Sequence, residues 1–199
     1  EAGAVVSFTV QLDSQPWADV TIPILSSDTS EGVVSTGSLT FTSANWNTAQ
    51  TVTVTGVDDA VVDGDVVYTI VIGAAVSGDT LYNGINPADI TLTTLDNDTV
   101  GITVSAPSGT TTTEAGSALT FTVKLNSQPT ANVTLAISSS DTTEGVVSTG
   151  SLTFTSANWN TAQTVTVTGV DDAVVDGNVA YRSEEHTSEL QSHLNLVCR

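Results

Sequence analysis

Carboxylates supply nearly all the ionisable chemistry of this chain, and they come in short groups. Asp58 and Asp59 are adjacent, with Asp63 and Asp65 just beyond; Asp96 and Asp98 flank Asn97; Glu1, Asp28 and Glu31 stand before them. A second set follows as Glu114, Asp141, Glu144, Asp171, Asp172 and Asp176. No Lys or Arg is interleaved with the first set, so gathered on neighbouring loops its acids would repel one another unless protonated, well solvated or bound to a cation. Calcium takes six to eight oxygen ligands in flexible geometry, and loops rich in Asp, Asn and Gly can supply them. The bland reading of any single pair is an ordinary turn. Other chemistry finds no footing: through residue 181 there is no His or Cys, no phosphate-cradling Gly loop and no GxSxG, and the many Ser and Thr have no candidate base. A two-carboxylate glycosidase wants one acid in a shielded place, whereas these acids read as polar-loop residues. No catalytic residue is therefore assigned, and the chain reads as a non-enzyme.

The elements that position these acids are repeated. Residues 31–64 recur unchanged as residues 144–177, and Glu1-Ala2-Gly3 returns as Glu114-Ala115-Gly116 at the same offset. A repeat of this length suits an immunoglobulin-like sandwich better than a solenoid unit. Val6, Phe8, Val10 and Leu12 alternate with Ser7, Thr9 and Gln11, the pattern of a strand with one face on a core. Similar runs cover 20–25, 38–42, 51–55, 66–72 and 90–95, and 102–105 adds a strand at the head of the second repeat. The fold class is all-β: tandem immunoglobulin-like antiparallel sandwiches, both incomplete. The expected domains are 1–98, lacking its first strand; 99–181, cut before its last strands; and 182–199, a non-native tail. If successive strands alternate in direction, nine of the first repeat's thirteen acids share one pole: Glu1, Asp28, Glu31, Asp58, Asp59, Asp63, Asp65, Asp96 and Asp98. The opposite pole collects Trp17, Trp46 and Tyr82, with Trp159 the partner of Trp46. Only Asp98, Thr99 and Val100 separate the repeats, so the junction is expected to be stiff.

From Arg182 the composition changes. The Val/Thr alternation stops, and both histidines, the cysteine and two of the three basic residues fall in the last eighteen positions. Leu190, Leu194 and Val197 have helical spacing, which is the bland reading. The preferred one is that residues 182–192 (RSEEHTSELQS) and 196–199 (LVCR) resemble the in-frame translation of a short-read sequencing adapter, with an index between them. Without that tail one basic residue, Lys124, faces nineteen acids, a net charge near −18. Such a surface repels nucleic acid and anionic lipid. Cysteine usage excludes a disulfide framework. Residue 1 falls in mid-repeat, and no apolar run has the length of a membrane span, so the chain reads as a slice of a longer protein.

With those residues in view, the repeat resembles the Calx-beta family, specifically the tandem Calx-beta-like repeats of large bacterial surface proteins and adhesins. The resemblance is carried by Glu114-Ala115-Gly116 before residues 119–123 (LTFTV), by residues 37–41 (GSLTF), by Val57-Asp58-Asp59 and by Asp96-Asn97-Asp98. It implies Ca2+ bound at one end of each sandwich. The ligands it implies are Glu1, Asp58, Asp59, Asp63, Asp96 and Asp98 in the first repeat, and Glu114, Asp171, Asp172 and Asp176 in the second. Asp28, with its counterpart Asp141, is preferred to Glu31 as an added ligand. The family usually has Glu where Asp63 and Asp176 stand, and Asp65 becomes Asn178 in the second repeat, both departures from the pattern. The implied role is a calcium-stiffened structural or adhesive repeat on a bacterial cell surface or outside the cell. Its partners would be neighbouring repeats and cell-surface glycans or proteins, without nucleic acid or membrane insertion. The alternative is a carbohydrate-binding accessory module using Trp17, Trp46 and Tyr82.

Overall fold

The computed structural model describes residues 3–175, 177–186 and 193–198. The chain divides into two compact units, Glu1–Asn97 and Asp98–Arg199, and each is an all-β sandwich whose strands pair antiparallel, apart from one two-residue parallel pair in the second unit.

Unit 1 contains β1 (Val5–Val10), β2 (Val20–Ser26), β3 (Gly32–Val34), β4 (Ser38–Phe41), β5 (Gln50–Gly56), β6 (Val66–Ile72), β7 (Val76–Ser77) and β8 (Ile90–Thr94). One sheet runs β1-β5-β3; the other runs β4-β2-β6-β8, with β7 also on β2. Alternation decides what is buried. Val20, Ile22 and Ile24 of β2, Leu39 and Phe41 of β4, and Tyr68, Ile70 and Ile72 of β6 face Val52 and Val54 of β5 across the core. Each such aliphatic side chain contributes about 1.5–3 kcal/mol when fully buried. Trp46 packs against this cluster, and its carbonyl accepts the Leu12 amide at 2.9 Å.

Two elements exceed the sequence expectation. Strand β3 has three residues, too few for any alternation to register, and it carries the chain into the opposite sheet, where Gly32 pairs Gly56. Gly32 is obligatory there, since an added Cβ would run into the Tyr68 ring; Gly145 and Tyr181 repeat the arrangement. Strand β7 is two residues long and pairs Thr21 with Val76.

Unit 2 contains β9 (Ile102–Val104), β10 (Thr111–Thr112), β11 (Ala118–Leu125), β12 (Val133–Ser139), β13 (Gly145–Val147), β14 (Ser151–Phe154), β15 (Gln163–Gly169), β16 (Ala180–His186) and β17 (His193–Cys198). Its sheets run β13-β15-β11-β9 and β10-β17-β16-β12-β14. Residues 182–186 and 193–198 occupy strand positions that the sequence reading leaves empty, and 193–198 is a strand where helical spacing had been one reading. Strand β16 pairs β12 in the register by which β6 pairs β2: Ile137 opposes Glu185 as Ile24 opposes Ile72. A ladder is made of backbone groups, which any residue but proline carries, so the slot accepts this segment whatever its origin. The side-chain match is poorer. Tyr181 is buried where Tyr68 is, but buried Ser183 stands in the register position of Ile70.

Candidate metal centre

Register gathers the acid-bearing connections of unit 1 at one end. Val5 opposes Thr55, Gly32 opposes Gly56, Ser26 opposes Ile70 and Val66 opposes Thr94, so the ends of β2, β5 and β8 and the start of β6 lie together. The loop after β5 is tied to the segment after β8 by carboxylates accepting amides. Gly64, held at φ 80°, donates to Asp96 Oδ2 at 2.8 Å, and the Asp96 amide donates to Asp65 Oδ1 at 3.1 Å. Asn97 Nδ2 donates to Asp58 Oδ1 at 3.1 Å, while Asp59 Oδ1 accepts the Val61 amide at 2.7 Å within its own turn.

Glu31 is the acid at the bottom of this end, 6% exposed, with its carbonyl accepting the Val57 amide at 2.9 Å. Burial pushes its carboxyl above the ordinary value, and the charge of Asp63 pushes it further. The Thr94 hydroxyl, which donates to the Glu31 carbonyl at 3.2 Å and lies beside the carboxylate, offsets part of this; Asp28 and Asp59 add smaller upward pushes. The sequence reading treated every acid here as a polar-loop residue and preferred Asp28 as the added ligand; of the two, Glu31 is buried and Asp28 half-buried. Asp28 is held low chiefly by the Ser30 hydroxyl and then by the Ser30 amide, which donates to its Oδ1 at 3.0 Å. The available signal was the position of Glu31 directly before Gly32-Val33-Val34, an acid entering a strand in both repeats.

In unit 2 the pattern is repeated in part. Glu144 is 6% exposed like Glu31, and its carbonyl accepts the Val170 amide at 3.0 Å. Asp141 is lowered first by the Thr143 hydroxyl, as Asp28 is by Ser30. Asp171 and Asp172 are exposed, with Asp172 Oδ1 accepting the Val174 amide at 2.7 Å. Glu114 lies in the turn closed by the Gly116 amide on the Thr113 carbonyl at 2.9 Å. Asp98 opens this unit, with Oδ2 shielded from solvent. Glu1 and Asp176 lie outside the described residues.

The donor set is all oxygen, which suits a hard divalent cation. Among the described residues, no three acids are gathered closely enough to hold one. A carboxylate has two oxygens, so the hydrogen bonds at Asp58 and Asp59 do not exclude ligation. At the far end of unit 1, Trp17 is 71% exposed, and its amide donates to buried Asp79 at 3.1 Å; Trp46 and Trp159 pack on their cores.

No protein-family model matches the chain, and no curated protein does. Among solved structures, it is similar to CBD12 from CALX1.2 at 16% identity, covering 92% of this chain and 73% of that one, with a TM-score of 0.37. It is similar to the calcium binding domain CBD12 of CALX1.1 at 18% identity, covering 92% and 74%, with a TM-score of 0.38. Domains 4 and 5 of the S-layer protein SbsC match at 14% identity over 89% and 69%, with a TM-score of 0.38.

Proposed function

We propose that the two units are calcium-stabilised structural or adhesive repeats of the Calx-beta kind, belonging to an extracellular or bacterial cell-surface array whose neighbours are further repeats. The observation that carries this reading is Glu31: a buried carboxyl in the field of Asp63, Asp28 and Asp59, in a unit without a single Lys, Arg or His. Left alone, that arrangement disfavours its own charge. A bound divalent cation reverses the sign of the interaction for every carboxylate near it. In unit 1 the ion would draw on Glu1, Asp58, Asp59, Asp63 and Asp96, with Glu31 added on the strength of its burial and Asp28 as an outer candidate. In unit 2 it would draw on Glu114, Asp171, Asp172 and Asp176, with Glu144 beside them and Asp141 outermost. Calcium would supply charge neutralisation and cross-linking between loops, and no reaction is implied.

The exposed indole of Trp17 favours a second reading, a carbohydrate-binding face. Packing of Trp46 and Tyr82 against the core and the presence of Thr130 where unit 1 has Trp17 together narrow that platform to one aromatic in one unit. Calorimetric titration with calcium separates the two readings: the metal reading expects saturable calcium binding that Glu31→Gln weakens and Trp17→Ala leaves alone. Melting curves that coincide in calcium and in chelator refute it.

A further inference from the structure

The loop that leads from β1 to β2 recurs between β11 and β12 with the same frame. Residues 14–19 read Ser-Gln-Pro-Trp-Ala-Asp, and residues 127–132 read Ser-Gln-Pro-Thr-Ala-Asn. Two side chains differ. Trp17 becomes Thr130 and Asp19 becomes Asn132, so an aromatic ring and a carboxylate are present together in unit 1 and replaced together in unit 2. All four of these residues are exposed. The exposure belongs to the loop itself, since unit 2 has β9 along the edge of β11 and still leaves Thr130 and Asn132 in solvent.

In unit 1 the loop is held from both sides. The Trp17 amide donates at 3.1 Å to Oδ2 of Asp79, a carboxylate 2% exposed whose Oδ1 accepts the Leu81 amide at 3.0 Å. Just upstream, the Tyr82 hydroxyl donates to the Ser14 carbonyl at 2.6 Å and accepts the Ser14 amide at 3.1 Å, while Gln15 Nε2 donates to the Ser43 carbonyl at 2.9 Å. Pro16, between these ties, is buried. The indole edge reaches Gly78, where an added Cβ would lie 4.0 Å from Trp17 Cη2 and 3.3 Å from the Ala18 methyl. Val20 opposes Ser77 on β7, so Asp19 comes next to the same glycine. Trp17 is nonetheless 71% exposed, and it is the only exposed aromatic among the described residues. A single exposed apolar side chain is ordinary. An indole whose backbone is fixed by a buried carboxylate loses little freedom on binding, which is the property of an anchor.

We propose that Trp17 and Asp19 form a docking site for an arginine side chain on a partner protein, with the guanidinium lying on the indole and hydrogen-bonded to the Asp19 carboxylate. Trp is the aromatic that attracts a cation best, and the guanidinium is the cation that stacks on a ring while its fork of donors meets a carboxylate. One aromatic is not the cage that a quaternary ammonium group takes. Charge fixes the partner's sign: residues 1–97 hold twelve acids and no basic residue, so a basic segment is drawn to this unit and an acidic one is repelled. The site lies at the end of unit 1 away from Glu31 and does not depend on calcium.

The test titrates the full chain with a blocked synthetic peptide of sequence GSRSG, in chelator and again in calcium, so that its outcome is separate from that of the metal reading. The NMR signals of the indole N–H groups report on the protein, and the peptide's own signals report on the variants. The expected result is a saturable shift of the Trp17 signal alone, the same in both conditions and weaker at high salt. The peptide with Gln in place of Arg should not bind. Trp17→Thr and Asp19→Asn should each weaken binding by roughly two- to fivefold. Both variants insert the residue that unit 2 carries in the same loop, and Trp17→Thr leaves the net charge unchanged, so its loss is not one of diffuse attraction. If either variant melts early, the Arg and Gln peptides on the unaltered protein decide. Equal binding of those two peptides, undiminished binding by folded Trp17→Thr, or a Trp17 shift produced by cellohexaose and not by the Arg peptide overturns the proposal.

Discussion

Ser183→Ile is the substitution whose effect follows most directly from comparing the two units. Ser183 is 4% exposed and stands on β16 opposite Ser139, in the register position where Ile70, 0% exposed, stands opposite Ser26 on β6. The surroundings are nearly shared: Ile137, Val165 and Val167 of unit 2 match Ile24, Val52 and Val54 of unit 1, and Leu135 replaces Ile22 by an isomer of equal volume. A fully buried Ile contributes about 1.5–3 kcal/mol, and some of that is lost if Leu135 must shift to make room. A net gain of about 2 kcal/mol is therefore expected. For a domain of this size it should raise the unit 2 transition by roughly 8–15 °C. Differential scanning calorimetry of the full chain, with Asp58→Ala as a unit 1 marker, assigns the two transitions. The upper or lower transition that ignores the unit 1 marker should move, and the other should not. A Ser183→Ile chain with both transitions unchanged refutes the register argument, because it would mean that position 183 does not line the core.

The remaining predictions concern the acidic end. Glu31→Gln should raise the melting temperature of the metal-free protein near neutral pH and flatten its pH dependence. The sign follows from the raised carboxyl: the stabilising, protonated form is fully present below the ordinary value of 4.5 and is lost as pH rises through the folded-state value. Asp28 has the opposite sign, with its Ser30 contact stabilising above 3.8 and lost as pH falls through a lower folded-state value, so Ser30→Ala should reduce stability at neutral pH more than in acid. Millimolar calcium should raise the melting temperature, by about 2.7 kcal/mol of stabilisation at a hundredfold excess over Kd, and magnesium should do less. In calorimetry Asp58→Ala and Asp96→Ala should remove most of the calcium heat and Asp171→Ala little, since Asp58 and Asp96 bind the two loop segments of unit 1 together; equal damage from Asp171→Ala sinks that ligand assignment.

Much of the fold was legible because it rests on alternation. Val6, Phe8, Val10 and Leu12 announce a strand, and residues 66–72 announce another, because period-two patterning is a local property of the chain. Strand β3 was not legible, since three residues carry no period, and its existence depends on Gly32 admitting the Tyr68 ring from elsewhere in the sequence. The acidic end was legible as a set of loops. The depth of each acid was not: a Glu in a loop reads as solvated, and only the packing of Thr94 and the loop after β5 around Glu31 makes it buried.

The two copies make the same point more sharply than either alone. Thirty-four consecutive residues are identical between them, and within that block burial agrees: Glu31 and Glu144 at 6%, Phe41 and Phe154 at 0%, Val52 and Val165 at 0%. Phe8 and Phe121 lie outside the block on equivalent strands, carry the same side chain and pair β5 and β15 at equivalent valines, yet only Phe121 is buried. The difference lies in what covers the outer edge of the strand: residues 102–112 do so in unit 2, and no described strand does in unit 1. Residue type therefore sets which face of a strand is apolar, but the occupancy of the neighbouring edge sets whether that face is closed.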